Sequence, residues 1–399
     1  MRNKILGVFA CILVIAASIP PVAGTINKKE NDKFMLSINH TRRQFDLYHD
    51  FVYIKSNERG NPSNLPNDPD FNKQWYLHST GKIFWVKILL GEKIPIWFPF
   101  RVKPGIDIQA LEAWDIETGS PDVVIAIPDT GVDYLHPDLA ANIWTNTDEI
   151  PGNNIDDDNN GFIDDVIGWD FAYDDNDPMD DSGHGTVCAG VAGAVGNNGI
   201  GMAGVAWNCK IMPLKVWNET GSGSWEDMAM SIRYAADNGA DIISISAADY
   251  EVPNVMLDAV NYAYSKGVFI CAGAGNRNTD TKFYPAAYEN VTAVGMTNTR
   301  NKARSNSNYG EWVDIAAPGN LIYTTWPSQE YCFVGGTSIA CPMVAGVAAL
   351  LLSKDPSLSP DEVKTRLCNN VDPYSGDKYV GTGRLNAYKA LAALTLSMQ

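Results

Sequence analysis

Four short stretches of the chain carry residue types that can do chemistry together: Asp129-Thr130-Gly131, Gly183-His184-Gly185-Thr186, Gly275-Asn276 and Gly335-Gly336-Thr337-Ser338-Ile339-Ala340-Cys341-Pro342. Serine is a weak nucleophile until a base takes its proton, and an imidazole does this near neutral pH. A carboxylate must then hold the imidazole in one tautomer and stabilise its charged form. Asp129, His184 and Ser338 supply those three groups, in an order known for such triads. The Asn276 amide can donate to an oxyanion formed during acyl transfer. Alone, each residue has a blander reading: Ser338 as a helix N-cap, Asn276 as a left-handed turn residue. The other histidine in the regular part of the chain, His136, sits in the turn His136-Pro137-Asp138 and reads as structural. A second kind of chemistry is suggested by the run from Asp156 to Asp165. Asp156, Asp158, Asn160, Asp164 and Asp165 place oxygen donors around Gly161, as a Ca²⁺ loop requires. The twelfth position, Ile167, excludes an EF-hand.

These groups need elements to position them. The apolar run at 343–352 predicts a buried helix with Ser338 at its start, where free N–H groups and the positive dipole end collect. Residues 187–195 are small and apolar, predicting a second buried helix opened by His184. The continuous run at 123–127 reads as a strand, as do 211–216, 241–246, 268–272 and 291–296, and 110–114, 225–238 and 255–266 read as helices. Ser359-Pro360-Asp361-Glu362 is a capping box with Pro at the first helical position. Fully apolar strands alternating with helices predict an α/β fold, a parallel sheet covered on both faces. Sites in such sheets form at the carboxyl ends of strands, which is where Asp129 and Asn276 fall. Pro128 conflicts with this scheme, because it removes an N–H from a central strand.

The 399 residues are 45% hydrophobic, enough for a large core, and carry a formal net charge of −17. That charge opposes nucleic acid as a partner. Between Pro104 and Cys209 there is no Lys or Arg, so cations other than side chains are expected there. Arg2 and Lys4, the apolar run 5–19 and Val22-Ala23-Gly24 read as a secretory signal over 1–24, too short to span a bilayer. The mature chain is therefore expected to be secreted, extracellular or periplasmic, with no stable membrane span. A leader or propeptide-like segment follows at 25–63, then an arm at 64–106 whose aromatic-rich stretch 82–103 reads as an inserted hairpin. The six cysteines outside the signal are irregularly spaced, which disfavours zinc and leaves disulfide pairing unread.

Taken together, the four motifs resemble those of the subtilisin-like serine proteases, over about residues 64–393. The resemblance implies a three-layer α/β/α sandwich with a mainly parallel central sheet over 107–395, and an endopeptidase working through an acyl-enzyme on protein or peptide substrates. It implies that Asp129 orients, His184 acts as base then acid, Ser338 attacks, and Asn276 with the Ser338 N–H holds the oxyanion. Substrate would lie as an added strand along Ser246, Ala247 and Ala248, with Gly273, Ala274 and Gly275 also lining it. Ala248 stands where the family has glycine. The resemblance also implies calcium at the 156–165 loop and at a second site made by Asp138 and Asn198. It places Cys188, one turn after His184, beneath the imidazole, as a small buried hydrophobe with no catalytic part. A monomer is expected. The rival readings are a non-catalytic, peptide-binding relative and an esterase; no G-x-S-x-G opening a helix supports the latter.

Overall fold

The computed structural model describes residues 52–55, 65–90 and 94–397. The signal expected at 1–24 and all of the leader except 52–55 lie outside the described residues. β1 (Val52–Lys55), from the expected leader, joins β2 (Ile83–Leu90) and β3 (Ile94–Arg101) of the arm in one antiparallel sheet, in that order. The expected hairpin is β2–β3. Pro95 and Pro99 are tolerated because β3 is an edge strand. The Val102 N–H donates back to Lys82, so even positions face β2 and the two prolines face away.

After a short helix, α1 (Ala110–Trp114), come the strands of the main sheet. They are β4 (Val124–Asp129), β5 (Trp169–Asp170), β6 (Lys210–Lys215), β7 (Ile242–Ile245), β8 (Phe269–Gly273), β9 (Thr292–Thr297) and β10 (Ile315–Pro318). All neighbours are parallel, in the order β10-β9-β8-β7-β4-β6-β5. The winding reverses at β4, so the crevice at its carboxyl end is the topological switch point. Alternate residues of β4 enter different cores. Ile125 and Ile127 pack with Val187 and Val191 of α2 (His184–Gly193) and with Val344 and Val347 of the later α5 (Thr337–Lys354). Val124 and Ala126 pack with Met228 and Ile232 of α3 (Trp225–Asp237) and Met256 and Val260 of α4 (Asn254–Ser265). Two-residue alternation on a sheet covered on both faces thus gives the three-layer α/β/α sandwich expected from the sequence.

α5 is apolar and long enough to cross a membrane by composition, yet 89% of its apolar window is buried inside the protein. It is a core helix, in which Val347, Leu350 and Leu351 are 0% exposed, each contributing roughly 1.5–3 kcal/mol of burial. A hairpin of β11 (Ile322–Trp326) and β12 (Glu330–Val334) precedes it. α6 (Pro360–Asn369) and α7 (Ala387–Ser397) close the α5 face. The capping box at Ser359 and Glu362 is formed.

Pro128 does not break β4. The carbonyls of Val123 and Asp129 accept from Lys210 and Val216 on the β6 side, while that of Val124 accepts from Asp241 on the β7 side. Even positions therefore face β7, and the ladder to β7 pairs only Ile125 and Ala126. The ladder to β7 stops after Ala126, where residue 128 has no N–H to continue it, while the ladder to β6 runs on to Asp129 and holds the strand.

Candidate active site

β4 delivers Asp129 at its last position, 2% exposed, and α2 delivers His184 at its first, 8% exposed. Asp129 Oδ1 lies 2.5 Å from His184 Nδ1 and also accepts the Thr130 N–H at 2.8 Å. The two loops meet backbone to backbone. A Cβ built on Gly185 would lie 1.9 Å from the Gly131 carbonyl oxygen, so only glycine allows this approach. Burial disfavours a charged His184, but the adjacent Asp129 carboxylate outweighs it and holds the imidazole well above its ordinary 6.5. Burial pushes the Cys188 thiol up, so it stays neutral. Its Sγ is 3.9 Å from His184 Nε2 and 3.5 Å from the Ser338 carbonyl, which sets Ser338 and the Nε2 edge of the ring around one sulfur.

Ser338 is the second residue of α5 and 8% exposed. Its setting depends on Pro342, which lacks the N–H that would bond the carbonyl four residues back. That carbonyl belongs to Ser338, and it accepts instead from Ser246 Oγ at 2.7 Å and from Cys188 Sγ. Asn276 follows β8 and is turned by Thr337, whose N–H and hydroxyl donate to its Oδ1 at 2.9 and 3.2 Å. The amide nitrogen is thereby presented as a donor. A Cβ built on Gly336 would lie 3.4 Å from Asn276 Nδ2 and 3.7 Å from the Ser338 nitrogen. The missing side chain at 336 leaves open one point that both donors can reach.

The other expected site residues fall around this hollow. Ser246, Ala247 and Ala248 continue β7 without a strand partner, with both alanines half-buried. The Ser246 hydroxyl is committed to Ser338. Gly273, Ala274 and Gly275 are buried, and the polar backbone of the last two is already engaged. Ala274 donates to Val294 and accepts from Asn308 Nδ2; Gly275 donates to Thr337 Oγ1 and accepts from the Asn308 N–H. They form a wall, while Ser246 to Ala248 leave an edge. His136 is structural, as expected: Nδ1 accepts the Asp138 N–H and Nε2 meets the Glu330 carbonyl.

In the acidic loop, Asp158 and Asp165 converge with Glu149, ligand atoms within 4.8 Å of one another. Asn160 is beside them, its amide donating to both aspartates, as is that of Asn146. Asp156 and Asp164 instead hold the loop's own backbone. Asp156 accepts from Asn160 and Gly161, and Asp164 from Gly152, Asn153 and Asn154. Glu149 was missed from sequence because it lies outside the aspartate run. Asp138 and Asn198 do meet, Nδ2 to Oδ1 at 3.0 Å, and Asp138 also accepts from Met202 and Tyr331. Asp68, which the sequence did not single out, accepts the Asn197 and Asn198 N–H groups. The six cysteines are free.

Comparison with known proteins agrees with this geometry. Residues 120–388 match the peptidase S8, or subtilase, family. The chain is 43% identical to thermitase of Thermoactinomyces vulgaris over 285 residues, 71% of this chain and 93% of that protein. It is 36% identical to subtilisin Savinase of Lederbergia lenta over 273 residues, 68% and 91% of the two chains. Its fold is similar to a solved protease of Pseudoalteromonas arctica, with a TM-score of 0.67 and 29% identity over 82% of this chain and 99% of that one. The chain belongs to the subtilase family and is a serine-type endopeptidase acting on protein substrates.

Proposed function

We propose that Asp129, His184 and Ser338 form the catalytic triad of an exported endopeptidase, with Asn276 and the Ser338 N–H as its oxyanion donors. The observation that carries this reading is the 2.5 Å contact between Asp129 Oδ1 and His184 Nδ1. A carboxylate on Nδ1 keeps the proton there and leaves Nε2 as the base. With a peptide lying along Ser246 to Ala248, His184 takes the Ser338 hydroxyl proton as Oγ attacks the scissile carbonyl. The oxyanion moves into the opening at Gly336, between Asn276 Nδ2 and the Ser338 nitrogen. His184 then protonates the leaving amine, and the acyl-enzyme is hydrolysed by water activated at the same Nε2. Asp129 stays ionised throughout.

The maturation scheme is part of the proposal: a signal at 1–24, a leader at 25–63, an arm at 64–106 and the catalytic domain at 107–395. Export is supported by the basic residues and apolar run at the N-terminus. Calcium is supported by donor chemistry: three converging carboxylates, all hard oxygen donors, within a stretch of 104–209 that holds no Lys or Arg. Glu149, Asp158 and Asp165 would hold one ion, and Asp138, Asn198 and Asp68 would hold another. The ion would supply positive charge that fixes these loops, without taking part in the reaction.

A fluorophosphonate probe with casein hydrolysis tests the reading. The wild type is expected to label on Ser338 and cleave casein, and Ser338→Ala to do neither. Folded wild-type protein that does not label, or labelling that persists in Ser338→Ala, defeats it.

A further inference from the structure

We infer that Asp180 is a positioning residue that locks Asp129 and His184 into register, an inference that rests on the triad proposed above. The first N–H groups of a helix need acceptors, and α2 begins at His184 behind Gly183, which has no side chain to cap it. Asp180 takes over from outside. Its Oδ1 accepts the N–H groups of Gly183 at 2.7 Å and Ser182 at 3.0 Å. Its Oδ2 accepts the Thr186 N–H at 2.9 Å and the Thr186 hydroxyl at 2.6 Å.

A fifth bond goes beyond capping. The Thr130 hydroxyl donates to Asp180 Oδ1 at 2.8 Å and accepts the Gly185 N–H at 2.9 Å. Thr130 is the residue after Asp129, and its N–H donates to the same Asp129 oxygen that meets His184 Nδ1. The bonds close a ring: Asp180 to Thr130, Thr130 to Asp129, Asp129 to His184, and His184 back through the start of α2 to Asp180. At 6% exposure, Asp180 keeps these bonds out of water. From the far side, Lys215 Nζ fixes the same loop through the Met179 carbonyl and Asp181.

Five donors converge on two carboxylate oxygens, so an amide cannot replace the carboxylate. Its NH₂ would face either the Thr186 pair or the trio from Thr130, Ser182 and Gly183. Asp180→Asn is therefore expected to lower kcat by about 10- to 100-fold, as small displacements of reacting groups do, with KM within about twofold. The readout is taken per fluorophosphonate-titrated site. The low-field proton resonance of His184 Nδ1–H should move or broaden in the same variant, while circular dichroism stays native.

A role limited to helix capping predicts something else: a lower Tm with kcat per titrated site and the resonance unchanged. That result overturns the inference. If Asp180→Asn does not fold, Thr130→Val decides, since it removes the hydroxyl that ties Asp180 to the residue beside Asp129, and with it the Gly185 acceptor, while leaving the four Asp180 bonds to Ser182, Gly183 and Thr186 in place. Thr130→Val should lose kcat and Thr130→Ser should retain it; equal kcat in the two also overturns the inference. If the wild type itself forms no acyl-enzyme, the triad reading falls separately, and the Nδ1–H resonance of the variants still reports on the clamp.

Discussion

The bond between Ser246 and the Ser338 carbonyl exists because residue 342 is proline, and this dependence can be measured. Removing the hydroxyl in Ser246→Ala leaves a carbonyl on a residue only 8% exposed without its 2.7 Å donor, and only the Cys188 thiol at 3.5 Å remains. A buried polar group deprived of its partner costs about 1–3 kcal/mol, and the weak thiol places this case near the lower end. At roughly 2–4 °C per kcal/mol for a domain of this order of size, Tm should fall by a few degrees. Pro342→Ala restores an N–H on the helix ladder that can reach the same carbonyl. In that background Ser246→Ala should cost less, by roughly 1 kcal/mol of coupling. Stability is best read by calorimetry in a Ser338→Ala background, which keeps the carbonyl and abolishes autolysis. Equal costs of Ser246→Ala with and without Pro342 would refute the reasoning, because the hydroxyl would then not be serving the carbonyl the proline frees.

Because the Asp129 carboxylate holds His184 well above 6.5 and only neutral imidazole is a base, kcat/KM should rise with pH through a midpoint above that value. Asp129→Asn should move the midpoint down while lowering kcat; a wild-type midpoint below 6.5 counts against the pair. Chelation should lower Tm by several degrees, since an ion at a hundredfold excess over its Kd stabilises by about 2.7 kcal/mol. Glu149→Gln should shrink that calcium-dependent increment, and an unchanged increment would remove Glu149 from the site. Cys188→Ala should keep kcat within a few-fold, because Ser246 remains on the Ser338 carbonyl; loss of turnover with native folding would assign the thiol a larger part.

How much of this was legible in the sequence follows from the range of each interaction. The strands β4, β6, β7, β8 and β9 were readable as largely apolar runs, because both faces of the sheet are buried. β5 has two residues and β10 four, ending in Pro318, too few to show a period. The triad residues stood out because glycines flank each of them, and the structure gives two of those glycines a reason: Gly185 meets the Gly131 carbonyl, and Gly336 clears the space before Asn276 and Ser338. Asp68 and Glu149 were not legible, since what selects them lies elsewhere. Asp68 answers backbone groups 129 and 130 residues away, and Glu149 joins carboxylates beyond a turn. Asp180 had a local signal, a carboxylate three residues before the Gly183 N-cap, but its bond to Thr130 spans 50 residues.

The sequence marked Pro128 as a conflict with its strand but not Pro342 with its helix, and composition does not rank the two. Backbone parity and helical spacing do. Pro128 stands on the even side of β4, facing β7, so its missing N–H ends the β7 ladder after Ala126 and spares the β6 ladder, which runs on to Asp129. Pro342 stands four residues after Ser338 inside α5, so its missing N–H belongs to the nucleophile's own carbonyl. One proline shortens a single ladder of its strand and the other sets the hydrogen bonding of Ser338. Moving each by one position should redirect its effect: a proline at 127 would delete a bond on the β6 side instead of the β7 side, and one at 343 would free the carbonyl of Ile339 instead of that of Ser338.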